Sequence, residues 1–329
     1  MTYNGEAIFN EDGSIRKIQE GEDGRSYSSN LAKLLKQLPK LQNLQEGKPP
    51  SPVMAHISLT NACNLTCSFC CFANRDISEK MPTEKVFQAL ESFKAIGVTG
   101  VEFTGGGEPS IHPHFKEIVQ YAKDLGFSLG ICTNGARFGA DRPIKKDIVE
   151  LFDWVRLGMY GFYEGYDYDL SVFEGTNCKP SAAYVWDENL ETSKNPNITG
   201  DWSDVKNKRV LSKKFQTTEN FIRMLDWVEE NGIPCRIAFN AIKDVKETEK
   251  DIETIRGIIE HYEEDRGRKL KYAFLSDFNF KGERRNDHCY MHMVKPFLFT
   301  DGYIYACPSA ELSIENNYNY VPESQFAVC

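Results

Sequence analysis

Val53-Met-Ala-His-Ile-Ser-Leu-Thr-Asn-Ala-Cys63-Asn-Leu-Thr-Cys67-Ser-Phe-Cys70-Cys-Phe72 decides the reading of this chain. An apolar run over 53–59 feeds a loop whose cysteines follow the spacing C-x3-C-x2-C. Three thiolates this close can hold three corners of a metal cluster and leave the fourth open. An open metal position is where substrate or cofactor chemistry takes place. Cys71 follows Cys70 directly, so its side chain is expected to point away and pack as a buried apolar thiol. Structural zinc sites favour four ligands in two C-x2-C-like pairs, and no second pair or His-x3-His partner lies nearby. Iron–sulfur clusters, by contrast, are held by cysteine thiolates.

Two further stretches agree with an early α/β site. Gly100-Val-Glu-Phe-Thr-Gly-Gly-Gly-Glu-Pro109 reads as a short strand over 101–104 and a glycine turn that lets backbone approach a ligand. It lacks the G-x-G-x-x-G spacing of a dinucleotide fingerprint. Phe127-Ser-Leu-Gly-Ile-Cys-Thr-Asn-Gly135 reads as strand then turn, and Asn-Gly is also a common turn signal.

Together these motifs resemble the radical S-adenosylmethionine (SAM) superfamily. The resemblance implies that Cys63, Cys67 and Cys70 bind a [4Fe-4S] cluster whose fourth iron takes the amino and carboxylate groups of SAM. It implies reductive cleavage of SAM to methionine and a 5′-deoxyadenosyl radical that abstracts hydrogen from a substrate. Phe69 would lie near the adenine, and the turn Gly106, Gly107, Glu108, Pro109 would bind the SAM amino group. Gly105 is an additional glycine. Thr133 and Asn134 would lie beside the SAM site. The implied electron source is a reducing partner such as flavodoxin or ferredoxin.

The alternation of strands and helices from Val53 onward predicts a parallel sheet with right-handed crossovers. Strands are expected over 53–59, 101–104, 127–132, 154–160, 234–239 and 270–275, and helices over 83–96, 113–125, 144–153, 217–231 and 246–266. The resemblance makes the α/β class specific: an incomplete (β/α)6 TIM-like barrel. Ligands in such folds sit beyond the carboxyl ends of the strands, where all three motifs fall. Residues 1–52 read as an N-terminal extension with an amphipathic helix candidate over 31–38 and a Pro-rich linker. Residues 161–213 read as an irregular, aromatic-rich insertion over the substrate, too long for a routine connection. Within it Cys178 is a candidate hydrogen-atom donor, with an inert thiol as the alternative. Arg156 and Tyr160 share one strand face by alternation and are candidate substrate contacts, as is Asn240 near a strand end; Arg156 suits a carboxylate or phosphate, with a surface or ion-pair residue as the alternative.

Residues 276–329 break the pattern. Phe297-Leu-Phe-Thr-Asp-Gly-Tyr-Ile-Tyr305 reads as a β-hairpin about Asp-Gly that brings Cys289 and Cys307 to its outer ends. The spacing of Cys289, Gly302 and Cys307 is similar to the opening of the SPASM and twitch extensions, which hold auxiliary [4Fe-4S] clusters. Cys329 would be a third ligand, with His288 and His292 as possible substitutes for a fourth; the alternative is a plain hairpin with buried thiols.

Net charge is −9 and the pI about 5.4, so bulk charge does not imply a nucleic-acid surface. The first residues lack a signal-peptide pattern, and no apolar run approaches a membrane span of about 18 residues. The ten cysteines are therefore expected to be reduced or metal-bound in the cytoplasm. The leading expectation is oxidation or cross-linking of a peptide or small-molecule substrate with one auxiliary cluster. The runner-up is a redox-neutral reaction such as epimerisation with a thiol donor. A non-catalytic iron–sulfur carrier or sensor is the alternative of another class.

Overall fold

Strand–helix alternation produces one open sheet whose carboxyl edge carries the motifs. The computed structural model describes residues 7–9, 15–18, 40, 42–43, 46–48, 51–66, 70, 72, 76–138, 143–159, 168–186, 209–210, 218–239, 245–275 and 294–305. An antiparallel pair, β1 (Ala7–Phe9) and β2 (Ile15–Ile18), precedes the main body and has no counterpart in the strands expected from the sequence.

In chain order the body comprises β3 (Met54–Ile57), β4 (Leu65–Thr66), α1 (Thr83–Ala95), β5 (Gly100–Phe103), α2 (Phe115–Asp124), β6 (Ser128–Thr133), α3 (Lys146–Val149) and β7 (Trp154–Gly158). It continues with β8 (Lys179–Trp186), β9 (Arg209–Val210), α4 (Thr218–Asn231), β10 (Cys235–Phe239), α5 (Val245–Arg266) and β11 (Ala273–Leu275). A hairpin, β12 (Phe297–Leu298) and β13 (Ile304–Tyr305), closes the described chain. The main sheet runs β11-β10-β8-β7-β6-β5-β3-β12-β13, parallel throughout except for β13.

Period-2 alternation sorts the strands into two faces. Ala55, Ile57, Val101, Phe103, Leu129, Ile131, Val155, Leu157, Ala182 and Tyr184 are buried on the helix side. The helices answer with stripes at helical spacing: Val86, Leu90 and Phe93 on α1; Phe115, Ile118, Val119 and Ala122 on α2; Phe221, Met224, Leu225 and Val228 on α4. The opposite face lines the lumen of the partial barrel and carries His56, Glu102, Cys132 and Arg156.

Two expectations need correction. The segment read as irregular over 161–213 contains β8, inserted between β7 and β10. Lys179 and Pro180 open it, and proline argues against a central strand. Ala182, Tyr184 and Trp186 are buried in alternation along it. The helix expected over 144–153 shrinks to Lys146–Val149. Asp153 accounts for this: its carboxylate accepts from Ser128 Oγ (2.8 Å) and the Leu129 N–H (2.7 Å), and its own N–H donates to Leu129 O (2.8 Å), drawing the chain into the sheet.

The C-terminal hairpin forms as read, with Phe297 opposite Tyr305. What the sequence did not disclose is that β12 also pairs in parallel with β3 and so extends the barrel sheet.

Candidate active site

The cysteine loop leaves and returns at the carboxyl end of β3. Thr60 bridges Lys80, the Asn61 N–H donates to Glu79 O (2.9 Å), and the Met81 N–H donates to Leu59 O (2.9 Å). Glu79 Oε2 accepts from Asn61 Nδ2 (3.1 Å) and from Thr300 Oγ1 of the hairpin (3.2 Å), tying the loop stem to the C-terminal extension. Cys63 and Cys70 are partly exposed and form no disulfide. Cys70 packs beside Phe72, Phe297 and Phe299.

The glycine turn after β5 lies directly against this loop. The Gly107 N–H donates to Thr60 O (2.8 Å), the Glu108 N–H to Ala62 O (2.9 Å) and the Gly106 N–H to Ser58 Oγ (3.1 Å). A Cβ on Gly107 would fall 2.0 Å from Ala62 O, and one on Gly106 would fall 2.1 Å from Asn61 Oδ1. These glycines are therefore dictated by close approach to the cysteine loop.

Glu108, 3% exposed, joins this turn to the next. Its Oε1 accepts from Ser110 N (3.1 Å), Ser110 Oγ (2.6 Å) and Thr133 Oγ1 (2.7 Å), and its Oε2 accepts from Asn134 N (2.7 Å). Asn134 then reaches back to the cysteine loop: its Nδ2 donates to Asn64 Oδ1 (2.7 Å) and lies 3.7 Å from Cys63 Sγ. An N–H aimed at a thiolate sulfur stabilises charge there and tunes the potential of a cluster bound to it. The donor set fits an iron–sulfur cluster: thiols outside any disulfide, an amide N–H at one sulfur, and a stem held by backbone hydrogen bonds.

Below this edge, the lumen holds a polar network that the sequence reading missed. Glu102 Oε2 pairs with His56 Nε2 (2.8 Å) and Lys295 Nζ (3.2 Å), and its Oε1 accepts from Cys132 Sγ (3.2 Å). Burial lowers the His56 pKa, and the nearby Lys295 and Arg156 charges act in the same direction, so the ring is neutral at pH 7 and donates to Glu102. Burial would raise the Glu102 carboxyl, but the His56 hydrogen bond and the Lys295 and Arg156 charges outweigh it and hold Glu102 well below the usual range. Burial, and next the Glu102 charge, push the Cys132 thiol up to about 12, so it stays protonated. The signal available in the sequence was a carboxylate between Val101 and Phe103 in a strand buried on both faces.

A carboxyl with a depressed folded pKa contributes stability above its unfolded value, 4.5, and loses it as pH falls through the folded value. Glu102→Gln is expected to destabilise the protein at pH 7 by about 3 kcal/mol, the scale for breaking a buried ion pair. Urea unfolding at neutral and acid pH checks this: the gap between the two proteins should narrow below pH 4.5.

The structure brings together Cys63, Cys70, Gly106, Gly107, Glu108, Pro109, Thr133 and Asn134, and sets Arg156 in the lumen beneath them. Cys178 lies elsewhere. It immediately precedes β8 at the amino edge of the sheet, buried in the core, with its thiol pushed up to about 12 by burial and the charge of Asp153. That is the end opposite the cysteine loop, so the expectation of a hydrogen donor at Cys178 is corrected. Cys67, Phe69, Cys71, Tyr160, Asn240, His288, Cys289, His292, Cys307, Cys329 and the 31–38 helix candidate lie outside the described residues.

Residues 57–164, which span the cysteine loop, the glycine turn and the Thr-Asn-Gly turn, match the family model described as the radical SAM superfamily. That stretch of the chain is similar to a radical SAM domain. Enzymes of this class use a [4Fe-4S] cluster and S-adenosylmethionine. The chain is 31% identical over 98 residues to an S-adenosylmethionine-dependent nucleotide dehydratase of Selenomonas ruminantium, covering 30% of this chain and 35% of the relative. It is 34% identical over 85 residues to the sporulation killing factor maturation protein SkfB of Bacillus subtilis, covering 26% and 20%. The chain thus spans about a third of the first relative and a fifth of the second. The fold is similar to that of Streptococcus suis SuiB bound to precursor peptide SuiA, with a TM-score of 0.52, 16% identity, and 94% of this chain and 71% of that one covered. Among the described residues no helix is long and apolar enough to cross a membrane.

Proposed function

We propose that this protein is a radical SAM enzyme that modifies a peptide, or a small molecule in its place, by hydrogen abstraction. Cys63, Cys67 and Cys70 would hold the [4Fe-4S] cluster; Gly106, Gly107, Glu108 and Pro109 would position SAM, with Phe69 near the adenine and Thr133 and Asn134 beside it. When bound, cluster and SAM supply the 5′-deoxyadenosyl radical. The observation that carries this reading is the direct bonding of cysteine loop, glycine turn and Asn134 into one unit at the carboxyl edge of the sheet.

The likeness to a peptide maturation protein and to a fold solved with a precursor peptide supports a peptide substrate. The parallel pairing of β9 with β4 supports the 161–213 segment as a cover over the cysteine loop. In this reading residues 1–52 are an extension, 53–275 the partial barrel and 276–329 an auxiliary-cluster extension with Cys289, Cys307 and Cys329 as ligands. The auxiliary cluster suits net oxidation or cross-linking, since it can take an electron from a substrate radical. The enzyme would work in the cytoplasm with a flavodoxin- or ferredoxin-type reductant.

Iron and sulfide analysis of anaerobically reconstituted protein, with EPR of the reduced form with and without SAM, tests this. Two [4Fe-4S] clusters require about eight irons per chain. Only one EPR signal should then shift on SAM addition, and Cys307→Ala should lose the other. About four irons, unchanged in Cys307→Ala, would remove the auxiliary cluster. No SAM-sensitive signal would overturn the assignment itself.

A further inference from the structure

We propose that Arg156 is the anchor for an oxyanion of the substrate, a carboxylate or phosphate, inside the barrel lumen; this deepens the function proposed above and rests on it. Arg156 is partly buried on the lumen face of β7, opposite Ser181 of β8 and Cys132 of β6. Its guanidinium presents five N–H donors in a fork that matches a carboxylate or phosphate. The partners it has do not satisfy that fork. Nη1 lies 3.7 Å from Cys132 Sγ, and the guanidinium carbon is 5.5 Å from the centroid of the Trp154 ring. A protonated thiol is a weak acceptor and an indole face is none for an in-plane N–H.

The carboxylate of this network, Glu102, is already engaged. Glu102 gives one oxygen to His56 and Lys295 and the other to Cys132. Lys295 and Arg156 therefore face one carboxylate, and among the described groups of this network one positive charge is uncompensated. A partly buried charge without a counter-ion is less favourable than a paired one, and an incoming anion relieves it.

Among the described residues the strand positions beside the guanidinium are small. The next lumen position on β7 is Gly158, paired with Ala183 on β8, so the lining directly above the guanidinium is small. Below it, Trp154 closes the lumen over Gly130, where a Cβ would come 2.1 Å from the ring. Among the described residues the guanidinium thus sits between an aromatic floor and the small residues in the row of Asn134. An anion seated there would fix the substrate beneath the carboxyl edge where Cys63 and the glycine turn meet.

The test is anion binding by the full chain, read from intrinsic tryptophan fluorescence at constant ionic strength. Glutarate and inorganic phosphate are the two probes, and the one saturating at lower concentration identifies the oxyanion class. A saturable change is expected in the wild type. In Arg156→Gln it should weaken about tenfold or more, the size of one or two charge-assisted hydrogen bonds. Arg266→Gln, which removes an exposed guanidinium paired with Asp226, should match the wild type. If Arg156→Gln fails to fold, Arg156→Lys keeps the charge but loses the fork and should still weaken glutarate binding. No saturable change in the wild type, or equal binding by the Arg156 variant, overturns the proposal. Formation of 5′-deoxyadenosine by the wild type is measured separately. Its absence alongside intact anion binding would sink the radical SAM reading and leave the lumen site standing.

Discussion

Cys63→Ala is expected to reduce 5′-deoxyadenosine formation to the uncatalysed background. A cluster held by three thiolates has no spare ligand, so losing one corner removes the open iron with it. The Cys63 sulfur also lies 3.7 Å from the Asn134 amide, so the substitution unties one contact between the cysteine loop and the β6 turn. The measurement is dithionite-driven SAM cleavage by reconstituted protein, with iron content determined on the same sample. Cys178→Ala is the matched control, because that thiol is buried at the opposite edge of the sheet; it should lose about 1 kcal/mol of stability and retain SAM cleavage. Cleavage surviving in Cys63→Ala would show that the loop thiol is not a cluster ligand.

Glu108→Ala is the second large effect, and it should appear in stability before chemistry. The buried carboxylate accepts four hydrogen bonds from Ser110, Thr133 and Asn134. Stranding a buried donor costs about 1–3 kcal/mol. Hydroxyls can rotate to other partners but the Ser110 and Asn134 backbone N–H groups cannot, so a loss of about 3 kcal/mol is expected. Denaturant midpoints measure it. The glycine turn and the Asn134 turn would also lose their common anchor, so SAM affinity should fall in the same protein. Glu108→Gln separates the two roles. It keeps the volume but turns one acceptor into a donor facing either Ser110 or the Asn134 N–H, and should remain clearly destabilised. If Glu108→Ala is as stable as the wild type, the two turns are held by something other than this carboxylate.

Much of this site was legible before any coordinates. The cysteine spacing, the glycine run and Thr-Asn-Gly each mark a strand end, and alternation alone puts strand ends at one edge of a parallel sheet. The helices over 83–95, 115–124, 218–231 and 245–266 follow the apolar periodicity nearly residue for residue. β8 escaped because Lys-Pro and three small residues give little strand signal, while its identity rests on Tyr184 and Trp186 packing against Phe221 of α4. Cys178 was plausible as a donor only while its end of the strand was unknown.

The sequence by itself determined the class, because short-range spacing carries it: three thiols within one loop, three glycines beside it, and strands that alternate with amphipathic helices. Only the tertiary structure decided what those motifs do to one another. Glu108 joins two turns 25 residues apart, Asn134 reaches a loop 70 residues away, and Lys295 crosses from the C-terminal extension to Glu102. The physical reason is that a backbone pattern reports the face on which a side chain lies, whereas partners for a buried charge are chosen by whichever distant elements the fold packs onto that face.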